Sequence, residues 1–154
     1  MFKYNEIFLP GAMERLGHMF EFANERLGIH PDKFANMFVT SYIAEEFEAG
    51  SIQVVSGMCG DEIAGCVVAS HGFPLPRVSR PCSGLSEYVW SGRVAALAQW
   101  KYQLRFKEIF SVAPPSAIVK MRDALGHRTE DEVADEIFGM ICRMKDQEES
   151  MPVQ

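Results

Sequence analysis

Most of the features that would reveal this chain's function are scarce or missing. No apolar run approaches the roughly 18–20 residues that cross a bilayer, so the sequence predicts no membrane-spanning helix and no membrane partner. The opening MFKYNEIFLP has a short apolar stretch interrupted by Glu6, which makes a poor export signal. The four cysteines, Cys59, Cys66, Cys82 and Cys142, show no disulfide-framework spacing; with the weak leader they predict reduced thiols and a cytoplasmic protein. There is no phosphate-binding glycine loop, nucleophile elbow or serine–histidine arrangement, so the sequence offers no catalytic residue and no cofactor site. Extended structure is scarce too. Ile52–Val55 is the single stretch that reads as extended, too short and isolated to found a sheet, and is expected to lie on the core as a linker.

Apparent metal and acid–base clusters dissolve on inspection. Cys59, Cys66, His71 and Cys82 lack the paired ligands two to four residues apart that a closed zinc site uses, so no metal is expected. Glu14, His18 and Glu21 are one turn apart, but a di-metal bundle would need a Glu-x-x-His motif on each of two helices. They read as surface pairing. Glu45, Glu46 and Glu48 read as a solvated helix face with Phe47 turned inward.

What is present is helical. A chain of 154 residues with 47% hydrophobic content suits one domain, and eleven phenylalanines and nine methionines supply a core of large, adaptable side chains. Met13, Leu16, Phe20, Ala23 and Leu27 recur at steps of three and four, with Gly28 where a C-capping glycine belongs. Pro31 opens a second helix with Phe34, Met37 and Phe38 inward. Thr40-Ser41 breaks it before Tyr42, Ile43 and Phe47, and Gly50 ends that piece. A further helix spans residues 60–70, burying Ile63, Val67 and Val68. The longest irregular loop, residues 71–85, holds three prolines and two glycines.

Residues 86–109 hold both tryptophans, two of the four tyrosines and four of the fifteen basic residues. Trp90, Val94, Leu97, Leu104 and, at the edge, Trp100 share one face, which predicts a central amphipathic helix capped by Ser86. Beyond Pro114-Pro115, Ser116 is expected to cap a helix burying Ile118, Met121 and Leu125. Thr129-Glu130-Asp131-Glu132 forms a capping box for a last helix with Val133, Ile137, Met140, Ile141 and Met144 inward. The fold class is therefore all-α: six or seven helices in a single domain over residues 1–145, followed by a frayed tail at 146–154.

Net charge is −6, unevenly distributed. Residues 1–76 carry four Lys/Arg against ten Asp/Glu, residues 77–122 eight against two, and residues 123–154 three against nine. Two readings stay open. Either acidic outer helices neutralise a basic middle inside the monomer, or the basic middle faces an acidic partner. On the second reading Arg93, Lys101, Tyr102, Arg105 and Lys107 are the contact candidates, since tyrosine and arginine are enriched at interfaces. An alternative is a helix-turn-helix over residues 105–125 that binds DNA. Against it stand the Pro114-Pro115 turn, the small Ser116-Ala117 pair and the acidic chain.

Glu87, Tyr88, Trp90, Gly92, Gln99, Trp100, Phe106 and Ile109 resemble a family of small, all-helical bacterial proteins. Phe38, Ala44, Glu45, Phe47, Glu48 and Gly50, then Gly57-Met58 and Glu62-Ile63-Ala64, continue the likeness over about half the chain. The chain departs from the pattern by one extra residue before Trp90, by Arg93 in place of an aromatic, and by Cys59 in place of a helix-capping serine. The family is often encoded near toxin–antitoxin-type genes, including ADP-ribosyltransferase-like toxins. The resemblance thus implies a genomic neighbourhood and not a mechanism. Joined to the segregated charge and the lack of a catalytic constellation, it leads to the expectation of a non-enzymatic protein-interaction module, accessory or antitoxin-like, whose partner is a protein, such as a neighbouring gene's product.

Overall fold

The computed structural model describes residues 3–74, 86–124 and 126–150. Among these, a short 3₁₀ turn (Glu6–Phe8) leads into nine helices: α1 (Leu9–Glu25), α2 (Pro31–Val39), α3 (Tyr42–Glu48), α4 (Ile52–Val55), α5 (Gly60–Ser70), α6 (Glu87–Tyr102), α7 (Phe106–Val112), α8 (Pro115–Asp123) and α9 (Glu130–Ser150). The described residues form no strand, and no helix is long and apolar enough to cross a membrane.

The helix count exceeds the expected six or seven for two physical reasons. Gln103 adopts a left-handed conformation (φ 52°), which ends α6 and turns the expected single central helix into α6 and α7. Ile52–Val55 is a helical turn rather than an extended linker. The Ser51 carbonyl accepts the amides of Val54 and Val55 at 3.1 and 2.8 Å, and Val54 and Val55 are buried. Local closure and burial here override the β preference of the valines.

α1 and α6 form the spine. Helices this close need small residues at the crossing, and Gly17 meets Gly92 there. A Cβ on Gly92 would lie 2.6 Å from the Leu16 carbonyl oxygen and 2.7 Å from Gly17 Cα; one on Gly17 would lie 2.6 Å from the Val89 carbonyl oxygen. Because α6 is packed by α1, α8 and α9, it is buried nearly all round, at Ser91, Gly92 and every residue from Val94 to Gln99. The expected amphipathic helix is therefore a core helix lined with small residues. Its tryptophans pack on the edge of the core, half-buried: Trp100 Nε1 donates to the Tyr4 carbonyl at 2.7 Å, and the Arg122 guanidinium lies 5.4 Å from the Trp90 ring.

The centre belongs to phenylalanines. Phe20 meets Phe34 and Phe110 edge-to-face at 5.7 Å, and Phe106 meets Phe38 at 4.9 Å and Phe47 at 5.4 Å. Such pairs add about 0.5–1.5 kcal/mol each beyond area burial. They tie α1, α2, α3 and α7 together.

Other expectations are revised. Tyr42 points outward, 56% exposed, while Ile43 and Phe47 point in. α9 continues to Ser150 instead of fraying from Asp146; no glycine or proline interrupts residues 146–150, and Gln and Glu are good helix formers. Leu125, expected in the core, and residues 151–154 of the expected tail lie outside the described residues.

Candidate functional site

The five contact candidates separate into two groups. Arg93, Lys101 and Tyr102 project from α6 onto α9. Arg93 grips Glu130 with two bonds, Nε to Oε2 at 2.8 Å and Nη2 to Oε1 at 3.3 Å. Lys101 Nζ donates to Asp135 at 2.7 Å and reaches Asp131 at 3.5 Å, and the Tyr102 hydroxyl also donates to Asp135. The Tyr102 ring lies flat on Phe138, centroids 4.0 Å apart and planes within 3°. These bonds move the titrations. Lys101 holds its proton above the ordinary range, chiefly through its bond to Asp135, and Asp135 is held below its ordinary range by Lys101 and then Tyr102. Tyr102 is raised, first by its bond to Asp135.

Arg105 and Lys107 lie apart from this clamp, at the start of α7. Arg105 Nε is 3.9 Å from Glu48 Oε1, and its side chain is 58% exposed; Lys107 is exposed. Three basic residues of the middle are thus matched inside the monomer, Arg93 and Lys101 by α9 and Arg105 by α3.

Three acidic side chains that sequence reasoning placed elsewhere, or passed over, anchor the helices of that basic middle. Glu21, read as a surface residue, is buried on α1 and accepts the Ser86 amide at 3.1 Å, at the head of α6. Glu48, read as part of a solvated face, is 7% exposed and accepts the Phe106 amide at 3.0 Å, at the head of α7. Burial pushes the Glu48 carboxyl above its ordinary range, and the Phe106 amide and Arg105 only partly offset it. Asp32, on α2, accepts the Ser116 amide at 2.9 Å and the Ser116 hydroxyl at 2.5 Å, at the head of α8. A carboxylate at a helix N-terminus satisfies an orphan amide and faces the positive end of the helix dipole. Nothing in the sequence tells which helix end a distant acid will meet.

The residues of the helix-turn-helix alternative form α7 and α8. The first turn of α8 is occupied by Asp32, and Pro115, Ile118 and Val119 are buried. A recognition helix would present those early positions to base edges.

Concavities also lie among the described residues. A polar cleft of about 420 Å³ lies between α1 and the start of α5, lined by residues including Glu14, Arg15, His18, Cys59 and Glu62. α5 abuts α1 closely here, for a Cβ on Gly60 would sit 2.6 Å from the Met19 amide nitrogen. Cys59 occupies the N-cap position of α5, and its thiol donates to Asp61 and Glu62. Burial and those two carboxylates push the thiol up to about 11, the opposite of the depressed value a nucleophilic cysteine needs. The second concavity is an apolar groove of about 600 Å³ lined by Leu27, Ile29, Lys33, Met37, Val68, His71, Phe73 and Pro74.

Cys59, Cys66 and Cys142 are free thiols. Cys82 and residues 75–85 of the proline-rich loop lie outside the described residues. Among the described residues no three His, Cys, Asp or Glu side chains converge as metal ligands. Compared with known proteins, the chain matches no family model, no curated protein and no solved structure.

Proposed function

We propose that this chain is a non-enzymatic protein-interaction module, accessory or antitoxin-like, that binds a partner protein through the surface where α6 meets α9. The observation that carries this reading is the flat Tyr102–Phe138 stack. Both rings are half-buried, and the surrounding groups are charged: Lys101, Asp131 and Asp135. A fixed aromatic anchor inside a polar rim is the anatomy of an interface centre. Tyr102 loses little freedom on binding, because its ring is stacked and its hydroxyl is tied to Asp135. Arg105 and Lys107, exposed where α7 begins, extend the contact toward an acidic partner.

The test is co-purification with the product of the neighbouring gene, combined with co-expression to look for relief of that product's toxicity. Association that Tyr102→Ala weakens about tenfold or more supports the reading, since a central anchor is worth at least about 1.4 kcal/mol. Absence of both association and rescue overturns it.

A further inference from the structure

We propose that the apolar groove formed by the end of α1, by α2 and by α5 binds a linear aliphatic carboxylate, with its head group on the Lys33 ammonium. Three observations meet there. The volume, about 600 Å³, lies in the range of small-molecule sites. The tail would run over Leu27, Ile29, Met37, Val68 and Phe73, and Phe73 stands 58% exposed to water.

The charge is also selective. The chain carries 21 Asp and Glu against 15 Lys and Arg, yet among the described residues that line the groove there is one lysine and no carboxylate. Among the described residues no acid pairs with Lys33; Lys3, Arg15, Lys107, Lys120 and Arg143 are also without an acid partner, but of these Lys33 is the one that lines the groove. Lys33 is exposed at the edge of the groove, where an anionic head would remain half in water.

The polar inventory favours hydrocarbon over an extended peptide. His71 Nε2 is already engaged, 2.8 Å from the Met37 carbonyl and 3.2 Å from the Thr40 hydroxyl, and Pro74 has no N–H. A main chain laid in the groove would bring amides that need partners, and an alkyl tail brings none. The groove is separate from the Tyr102 surface, so binding here does not depend on the protein-partner reading.

The experiment is calorimetric titration of the full chain with decanoate, octanoate, decanol and decyltrimethylammonium, all below their micellar concentrations. Saturable one-to-one binding of decanoate is expected, with octanoate weaker by about tenfold or more because each methylene is worth about fourfold. Lys33→Glu, at an exposed position, should weaken decanoate at least about tenfold while leaving the unfolding midpoint in place. Failure of decanoate to saturate, equal binding of the cationic amphiphile, or an unchanged affinity in Lys33→Glu overturns the proposal. Loss of partner-protein association in Met37→Asp, with no decanoate binding to the wild type, would instead identify a protein segment as the occupant and also overturn it.

Discussion

The backbone amide of Phe106 donates to the carboxylate of Glu48 at 3.0 Å, across 58 residues of sequence. Glu48 thereby joins α3 to the head of α7, within the cluster where the Phe106 ring meets Phe38 and Phe47.

Glu48→Ala removes the acceptor and leaves a buried amide unsatisfied, which costs about 1–3 kcal/mol. Glu48→Gln keeps an acceptor oxygen and should be neutral or stabilising at pH 7. The sign follows from the raised folded-state carboxyl: the native state binds the proton more tightly than the unfolded chain does, so this group's contribution is fullest below about 4.5 and shrinks as pH rises through the raised value. Urea midpoints of the three proteins at pH 4 and pH 7 check it. A Glu48→Gln loss at pH 7 as large as that of Glu48→Ala would refute the assignment.

Asp135 behaves in the opposite way. Lys101 and Tyr102 hold it below its ordinary value near 3.8, so its contribution is present above that value and is lost as the pH falls through the lowered one. Asp135→Asn should flatten that part of the acid limb of the stability profile. Salt at about 1 M, where the screening length is about 3 Å, should also narrow the difference between the two proteins at pH 7.

The glycines of two helices predict contrary outcomes. Gly92→Ala forces a methyl into the Leu16 carbonyl and the backbone of Gly17, with no flexible side chain to give way, and should destabilise by about 1–3 kcal/mol or more. Gly139→Ala, inside α9, meets only the tip of Arg143 at 3.3 Å and should stabilise by about 0.5–1 kcal/mol through helix propensity. Thermal unfolding of the pair decides it.

Gln103→Gly should raise stability by about 1 kcal/mol, since glycine adopts the left-handed C-cap conformation without the steric cost that a Cβ carries there. A lowered melting temperature would show that the glutamine side chain makes a contribution larger than that cost.

Periodicity made most of the fold legible. The three- and four-residue steps of α1, the Phe34 and Phe38 pair of α2, the buried face of α5 and the Thr129 cap of α9 all follow from neighbours within a turn or two. The Glu132 amide donates to Thr129 Oγ1 at 3.2 Å, as the capping box expects. Positions decided by distant partners were not legible. Glu21 and Glu48 are buried where Ser86 and Phe106, 65 and 58 residues later, present their amides at the heads of α6 and α7. α6 shows no apolar face because alanine and glycine let neighbours close around it. The Tyr102 surface was half legible: the sequence marked its basic and aromatic members on α6, but Phe138 and Asp135 lie more than thirty residues away.

The three carboxylate anchors also impose a direction in time. Residues 21, 32 and 48 leave the ribosome well before residues 86, 106 and 116, the amides they receive. Each late helix therefore emerges into a waiting acceptor, while the early helices stand without their central neighbour until α6 has been translated. A nascent chain halted near residue 80 would present Gly17 and the surrounding surface of α1 bare, and a fragment starting at residue 86 would carry helix heads whose acceptors were never made.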